Sequence, residues 1–323
     1  MFPTPSAEET IFIFIKYPSG TTHTFGPLSY TWPLYFLTHV IEQHEGTPAS
    51  WQRLTLDGKR ILDTDPGTLA SVGIKNHSVL ELSIVPIKRR AKKPVIYIYP
   101  PKEMEVSVEV ELKGAWEFET VYPVVPVEKA LTGGRKGERI LWEVVARRDG
   151  TMTEKGTGLE ISYLYWEALS IDTPPASRPT SPTEILDAFD AANPNLTSSN
   201  SILLHTSSVP AYLDKTLKEL GLNVEARTSF ITFWLPSFQP HTHIALLFLP
   251  QSSYSAAAPL TITPKPDEVL RVFMLFKGIN EQNVSLWDAQ RTWDWREIVG
   301  VGSVVDGSAE RFRVVEWGGM EVS

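Results

Sequence analysis

The sequence predicts an α+β protein: a small mixed unit of strands and one helix, followed by a mostly-β, sandwich-like domain with one clear helix. Three observations predict it. Residues 10–86 read as strand, strand, helix, strand, short turns and strand. From residue 94 onward, short alternating or apolar runs are separated by turn clusters, and one segment carries a strong helical stripe. The chain also has 323 residues, too many for one ordinary core and suited to two or three domains.

The first unit builds in order. Thr10 to Tyr17 is an apolar strand, Pro18-Ser19-Gly20 a turn, and Thr21 to Phe25 the returning strand. Ser29 or Thr31 caps a helix from about Trp32 to Glu45. Pro33 sits in its first turn, where a missing N–H costs little, and Leu34, Leu37, Val40 and Ile41 share a face. Gln52 to Leu56 is a strand, Asp57-Gly58 a tight reversal, and Ser78 to Ile84 a last alternating strand. This order, with Ile61, Leu62 and Leu69 at core spacing, resembles the ubiquitin-like β-grasp. The resemblance covers nearly all of residues 10–86 and implies a docking module rather than a catalyst.

Residues 1–9 are read as a flexible tail, 87–93 as a basic linker and 94–323 as the β-rich domain, with a loop insertion at about 173–200. Strand candidates in that domain are Val95–Tyr99, the strictly alternating Val106–Leu112, Trp116–Tyr122, Ile140–Arg147 and Glu160–Glu167. Phe230–Leu235, Ile244–Leu249, Leu260–Ile262, Val269–Phe276 and Arg311–Trp317 complete them. The helix is SVPAYLDKTLKELG, capped by Ser207 or Ser208 and ended by Gly221.

Composition narrows the function classes. A hydrophobic fraction of 42% and a charged fraction of 21% are those of a globular protein. No apolar run approaches the roughly 20 residues of a membrane helix, and the polar start MFPTPSAEET is no signal peptide, so no membrane partner is expected. The absence of cysteine excludes disulfides, thiol nucleophiles and Cys-held metals, and places the chain in the cytoplasm, the nucleus or both. Net charge is −8: residues 1–86 carry −3, Lys88–Lys93 +5 and the remainder −10. An acidic body repels phosphate backbones, so no nucleic-acid partner is expected. The run KRRAKK at 88–93 reads either as a short nuclear-import signal or as a solvated linker.

The later phrases KPVIYIYPPKEMEVSVEV, ISYLYWEAL, LDKTLKELGLN, FITFWLP, APLTITPKPDEVLRVFMLFK and RVVEWGG follow one another in a set order. That order resembles an uncharacterised bacterial and fungal family opening with a KPVIYLYP phrase. The resemblance spans most of 94–319 and implies architecture without a mechanism. The Gly-rich loop Thr132–Gly137 and the insertion at 173–200 depart from it.

Within those phrases, Tyr163, Tyr165 and Glu167 share a strand face, and Glu316 stands beside Trp317. Glu167 and Glu316 could form a carboxylate pair against an aromatic wall with Tyr165, Trp166 and Trp317, as glycan processing needs. The opposing reading is core packing and ion pairing. Trp287, Trp293 and Trp295 read as a stacking platform for sugars or peptides, or as anchors of an irregular loop. His241 and His243 have a strand spacing compatible with zinc or copper, or simply lead into a hairpin. No cofactor is implied: there is no Gly-x-Ser-x-Gly elbow, and Gly133–Gly137 lacks the spacing of a phosphate loop.

The ubiquitin resemblance carries its own expectations. The last strand of the first unit runs on into Val85-Pro86-Ile87-Lys88 with no terminal Gly-Gly, so the unit is not expected to be conjugated as a tag. Pro18, Thr55, Glu81 and Ser83 fall where ubiquitin carries its apolar reading patch. Thr, Glu and Ser there remove most of that apolar area. Three functions remain: a non-enzymatic adaptor that binds a protein partner through the first unit, a glycan- or peptide-active hydrolase, and a first unit that caps the second.

Overall fold

The computed structural model describes residues 10–47, 49–61, 67–85, 89–113, 116–132, 135–170, 188–191, 194, 196–287, 292–302 and 310–322. It divides into two compact units at Ile87/Lys88. The expected tail at 1–9 and most of the insertion at 173–200 lie outside the described residues.

The first unit contains β1 (Thr10–Lys16), β2 (Thr22–Ser29), α1 (Leu34–Glu45), β3 (Gln52–Leu56), β4 (Lys59–Ile61) and β5 (Val79–Ile84). The sheet order is β2-β1-β5-β3-β4, and the two central strands β1 and β5 run parallel. The period of two in a strand puts Ile11, Ile13 and Ile15 fully inside. They meet Leu34, Leu37 and Ile41 of α1, at the i, i+3, i+7 spacing of one helical face. Gly46 ends α1 in the left-handed region with φ 72°, which a residue without Cβ adopts freely.

The second unit holds two sheets. Its strands begin with β6 (Arg90–Tyr99), β7 (Met104–Lys113), β8 (Trp116–Tyr122), β9 (Glu128–Thr132), β10 (Arg135–Ala146), β11 (Met152–Glu154), β12 (Glu160–Ile161) and β13 (Leu164–Ser170). They continue with β14 (Ile202–His205), β15 (His243–Phe248), β16 (Leu260–Thr263), β17 (Glu268–Ile279) and β18 (Arg313–Glu321). Helices α2 (Val209–Leu220), α3 (Val224–Phe238), α4 (Gln251–Ala257) and α5 (Trp295–Val299) are interspersed. One sheet runs β12-β11-β10-β7-β16, with β9 also on β10; the other runs β14-β15-β17-β18-β6-β13-β8. Val106, Val108 and Val110 of the first sheet and Trp116, Trp166 and Phe273 of the second belong to one continuous core. The other face of the seven-stranded sheet is covered by helices: Phe230 and Trp234 of α3 pack on Trp317 and Phe276.

Two sequence expectations are corrected. Within the basic run at 88–93, Arg90–Lys93 are not linker but the start of β6, paired with β13 on one side and β18 on the other, while Lys88 lies outside the described residues. Both faces of that segment are matched: Ala91 is buried, and Arg90 makes a two-pronged ion pair with Glu119. The run Phe230–Leu235 is no strand but the middle of α3, so the domain holds more than one substantial helix. Its β-branched and aromatic content suggests a strand, yet Phe230, Trp234 and Phe238 are buried at spacings of four. Asn223 caps the helix by accepting the Ala226 N–H at 2.8 Å.

Gly319 shows how closely the layers pack. A Cβ there would lie 2.8 Å from the Met274 carbonyl oxygen and 2.9 Å from the Trp234 ring. Gly319→Ala is expected to destabilise the second unit by about 1–3 kcal/mol. Gly302→Ala, with open space around its Cβ, is expected to cost less than about 0.5 kcal/mol. Urea unfolding followed by tryptophan fluorescence compares the two variants.

Candidate functional site

β17 and β18 are parallel neighbours, and their register sets Arg271 beside Glu316. Both point away from the helix layer and are buried, Arg271 at 3% and Glu316 at 0% exposure. A charge cannot be left in such a place without a partner. The Arg271 Nε–H donates to Glu316 Oε2 in a short contact, and Nη1 donates to the Ala258 carbonyl at 2.7 Å and Ser255 Oγ at 3.1 Å. The guanidinium lies over the Tyr254 ring at 4.3 Å. On the acid side, the Trp166 indole N–H donates to Glu316 Oε1 at 3.1 Å, and Tyr254 Oη–H donates to the same oxygen at 3.4 Å. Burial is the largest single influence and opposes the charge on Arg271, but Glu316 and Tyr254 together outweigh it and raise the guanidinium above its usual value. Burial, reinforced by Glu316, pushes the Tyr254 hydroxyl well up, so it stays protonated and able to donate.

Glu167 stands on the opposite face of that sheet, because Trp166 beside it turns its indole toward Glu316. The structure therefore does not bring Glu167 and Glu316 together, and the carboxylate pair expected from sequence is not formed. Glu167 Oε1 instead accepts the backbone N–H of Lys93 at 3.3 Å. Burial, with the Glu167 carboxylate beside it, raises the Tyr165 hydroxyl well above its ordinary range, so Tyr165 stays protonated beside Glu167.

Lys93 is the residue that sequence reasoning misses here. It has φ 57°, a left-handed conformation that costs a side-chain-bearing residue about 1–2 kcal/mol. That backbone turn delivers its ammonium among three rings: Tyr163 at 5.3 Å, Phe233 at 5.4 Å and Trp317 at 5.9 Å. The arrangement is an aromatic box filled by the chain's own cation. Nothing in the sequence hints at it: Pro94 favours extended backbone in the residue before it, not the left-handed turn that Lys93 adopts.

The remaining candidates separate. Trp166 and Trp317 are fully buried and Trp295 is 5% exposed, so these three are core rather than platform. Trp295 stacks on Trp293 at 5.2 Å, packs against Phe248 and donates to Tyr212 Oη at 2.6 Å. Trp287 donates its indole N–H to Ser201 Oγ at 3.0 Å. Thr292, Trp293 and Arg296 line a cleft of about 340 Å³ with Glu219 at the end of α2. His241 and His243 point to different partners: His241 Nε2 lies 3.6 Å from Glu321, and His243 packs edge-on against His205. Among the described residues no third ligand joins that pair.

Residues 13–86 match the model of the ubiquitin family, which agrees with the strand order of the first unit. No curated protein matches the chain. Among solved structures, the chain is similar to the solution structure of the N-terminal ubiquitin-like domain in the 4931431F19Rik protein. The two are 22% identical over 26% of this chain and 81% of that one, with a TM-score of 0.23. Assignment of a ubiquitin-like domain rests on the family model and the strand order, not on that likeness.

Lys93→Met keeps the side-chain bulk and removes the charge from the box. It is expected to destabilise the second unit by about 1–2 kcal/mol, since cation–π contacts are worth about 0.5–1 kcal/mol each and share one ammonium. Lys93→Gly is expected to lose less, because glycine relieves the positive φ. Urea unfolding of the two variants measures the difference.

Proposed function

We propose that the chain is a non-enzymatic interaction protein whose ubiquitin-like domain binds a protein partner. The observation that carries this reading is the state of the acids. Glu316 is neutralised inside the core by Arg271, and Glu167 faces the other way. The hydrolase alternative needs two carboxylates across a substrate, separated by no more than about 10 Å of open space. Ubiquitin-like domains commonly mediate protein–protein contacts, and this one offers a surface for it.

That surface is not the usual one. Thr55, Glu81 and Ser83 lie on the outer face of β3 and β5, with Lys16 paired to Glu81 at 3.6 Å. Apolar exposure has moved along β1 and β5 to Phe12 at 42% and Val79 at 50%, with Phe14 paired to Val79 in the sheet. The partner class that fits is one with an apolar patch meeting this displaced strip. It differs from the receptors that read ubiquitin itself. The unit's last strand leads into a second domain without a Gly-Gly tail, which supports a docking role over a conjugated tag.

The resemblance of residues 94–319 to the KPVIYLYP family belongs to the same proposal. Its support is that KPVIYIYP, ISYLYWEAL and RVVEWGG form β6, β13 and β18, which are adjacent in one sheet. Cytoplasmic or nuclear residence is likewise proposed, from the absence of cysteine. Import through KRRAKK would require β6 to open.

Exchange of Phe12 and Val79 for glutamate in the full chain is the test. Each apolar side chain buried in a complex is worth about 1.5–3 kcal/mol, so the double variant is expected to bind a co-purifying partner at least about 100-fold more weakly. Glu167→Gln is expected to retain it. Unchanged binding by the double variant, or a turnover abolished by Glu167→Gln, overturns the reading.

A further inference from the structure

A separate feature of the first unit points to a metal. His44 and Glu45 are the last two residues of α1, and β2 carries His23 to the same corner. Glu45 Oε1 lies 2.7 Å from His44 Nδ1 and 3.0 Å from His23 Nδ1. All three ligand atoms fall within 4.8 Å of one another. The two imidazoles are 5.5 Å apart and nearly perpendicular, so their Nδ1 lone pairs converge on one region instead of stacking.

We propose that His23, His44 and Glu45 form a binding site for a divalent cation of the zinc class. The ligand set is two neutral imidazoles and a carboxylate, which leaves a fourth tetrahedral position open to water. With bonds of about 2.0–2.1 Å, tetrahedral ligand atoms sit about 3.3 Å apart. The shared contacts at Glu45 therefore need to widen by only about half an ångström as a metal replaces the hydrogen-bonding protons.

Three further observations favour a cation here. The corner is the C-terminal end of a twelve-residue helix, where unpaired carbonyls make the local field negative. The imidazoles are held by rings of the fold: Tyr17 packs beside His23 at 5.0 Å and Phe25 beside His44 at 5.1 Å. The Tyr17 hydroxyl is buried and has no hydrogen-bond partner among the described residues. A metal-bound water on that side would give it one. Access is open, since the side chains of His23 and His44 are 38% and 53% exposed.

The competing explanation is a pair of ordinary imidazole–carboxylate hydrogen bonds that take no metal. The full chain, freed of metal by chelator and titrated calorimetrically with zinc chloride, distinguishes the two. The expected result is one zinc per chain. His23→Asn and His44→Asn are each expected to weaken it at least about 10-fold, the loss that even an outer-shell partner causes. His243→Asn is expected to leave it unchanged. A histidine-ring NMR correlation spectrum of the unaltered chain separates the same alternatives without substitution: zinc should move the His23 and His44 signals and spare those of His205, His241 and His243. No binding, binding equal in all variants, or shifts confined to the second unit's histidines each overturn the proposal.

Discussion

The second unit is arranged around one buried ion pair. Arg271 and Glu316 sit on neighbouring parallel strands in the middle of a seven-stranded sheet. Parallel strands are slightly the weaker pairing, and burying two charges between sheets is unfavourable unless every group is matched. Here four other residues from separate parts of the chain match all of the pair but Arg271 Nη2, which has no hydrogen-bond partner among the described residues. Trp166 comes from β13, Tyr254 and Ser255 from α4, and Ala258 from the turn that leads to β16 of the facing sheet. A misregister of β17 against β18 by one residue would send one charge to the helix layer and strand the other. The pair thus fixes register, the position of α4 and the orientation of Trp166 together.

The fixed orientation of Trp166 decides what the opposite face can do. Because alternate residues of β13 point to opposite faces, turning Trp166 inward turns Tyr165 and Glu167 toward Lys93. Glu167 then takes the Lys93 amide, and the left-handed backbone there aims the ammonium into its ring box. On both sides of the sheet the charged groups thus meet partners from within the chain, although Arg271 Nη2 and the Trp317 indole N–H are buried without a hydrogen-bond partner among the described residues. Glu316 and Glu167, the acids that suggest chemistry in the sequence, are each engaged by groups of the chain itself.

The first unit is legible because its signals are local: a turn dipeptide, an apolar helical stripe and period-two strands occur at their expected places. The helix, however, starts at Leu34 with Pro33 at its N-cap, and neither Ser29 nor Thr31 caps it. Ile11, Ile13 and Ile15 inside and Phe12 outside follow from alternation alone. Sequence reasoning fails in the second unit where partners come from far away. Glu316 looks like a strand-end acid because Arg271 stands 45 residues earlier, and no spacing rule joins them. Phe230–Leu235 reads as a strand from its aromatic and β-branched content, although Asn223 and the four-residue rhythm of Phe230, Trp234 and Phe238 point to a helix. The basic run 88–93 looks like a linker because charge suggests solvent. Its neutralising partner Glu119 lies on β8, reached only through the sheet's order β6-β13-β8.

A double-mutant cycle on Arg271 and Glu316, read as unfolding free energy of the full chain, probes the register role of the pair. Arg271→Met and Glu316→Leu alone are each predicted to cost about 3–5 kcal/mol, because each strands a buried charge. The double variant is predicted to cost far less than their sum, with a coupling of at least about 2 kcal/mol. Additive losses would contradict a register-setting pair, as would a folded Glu316→Leu chain that kept full stability while losing a catalytic turnover.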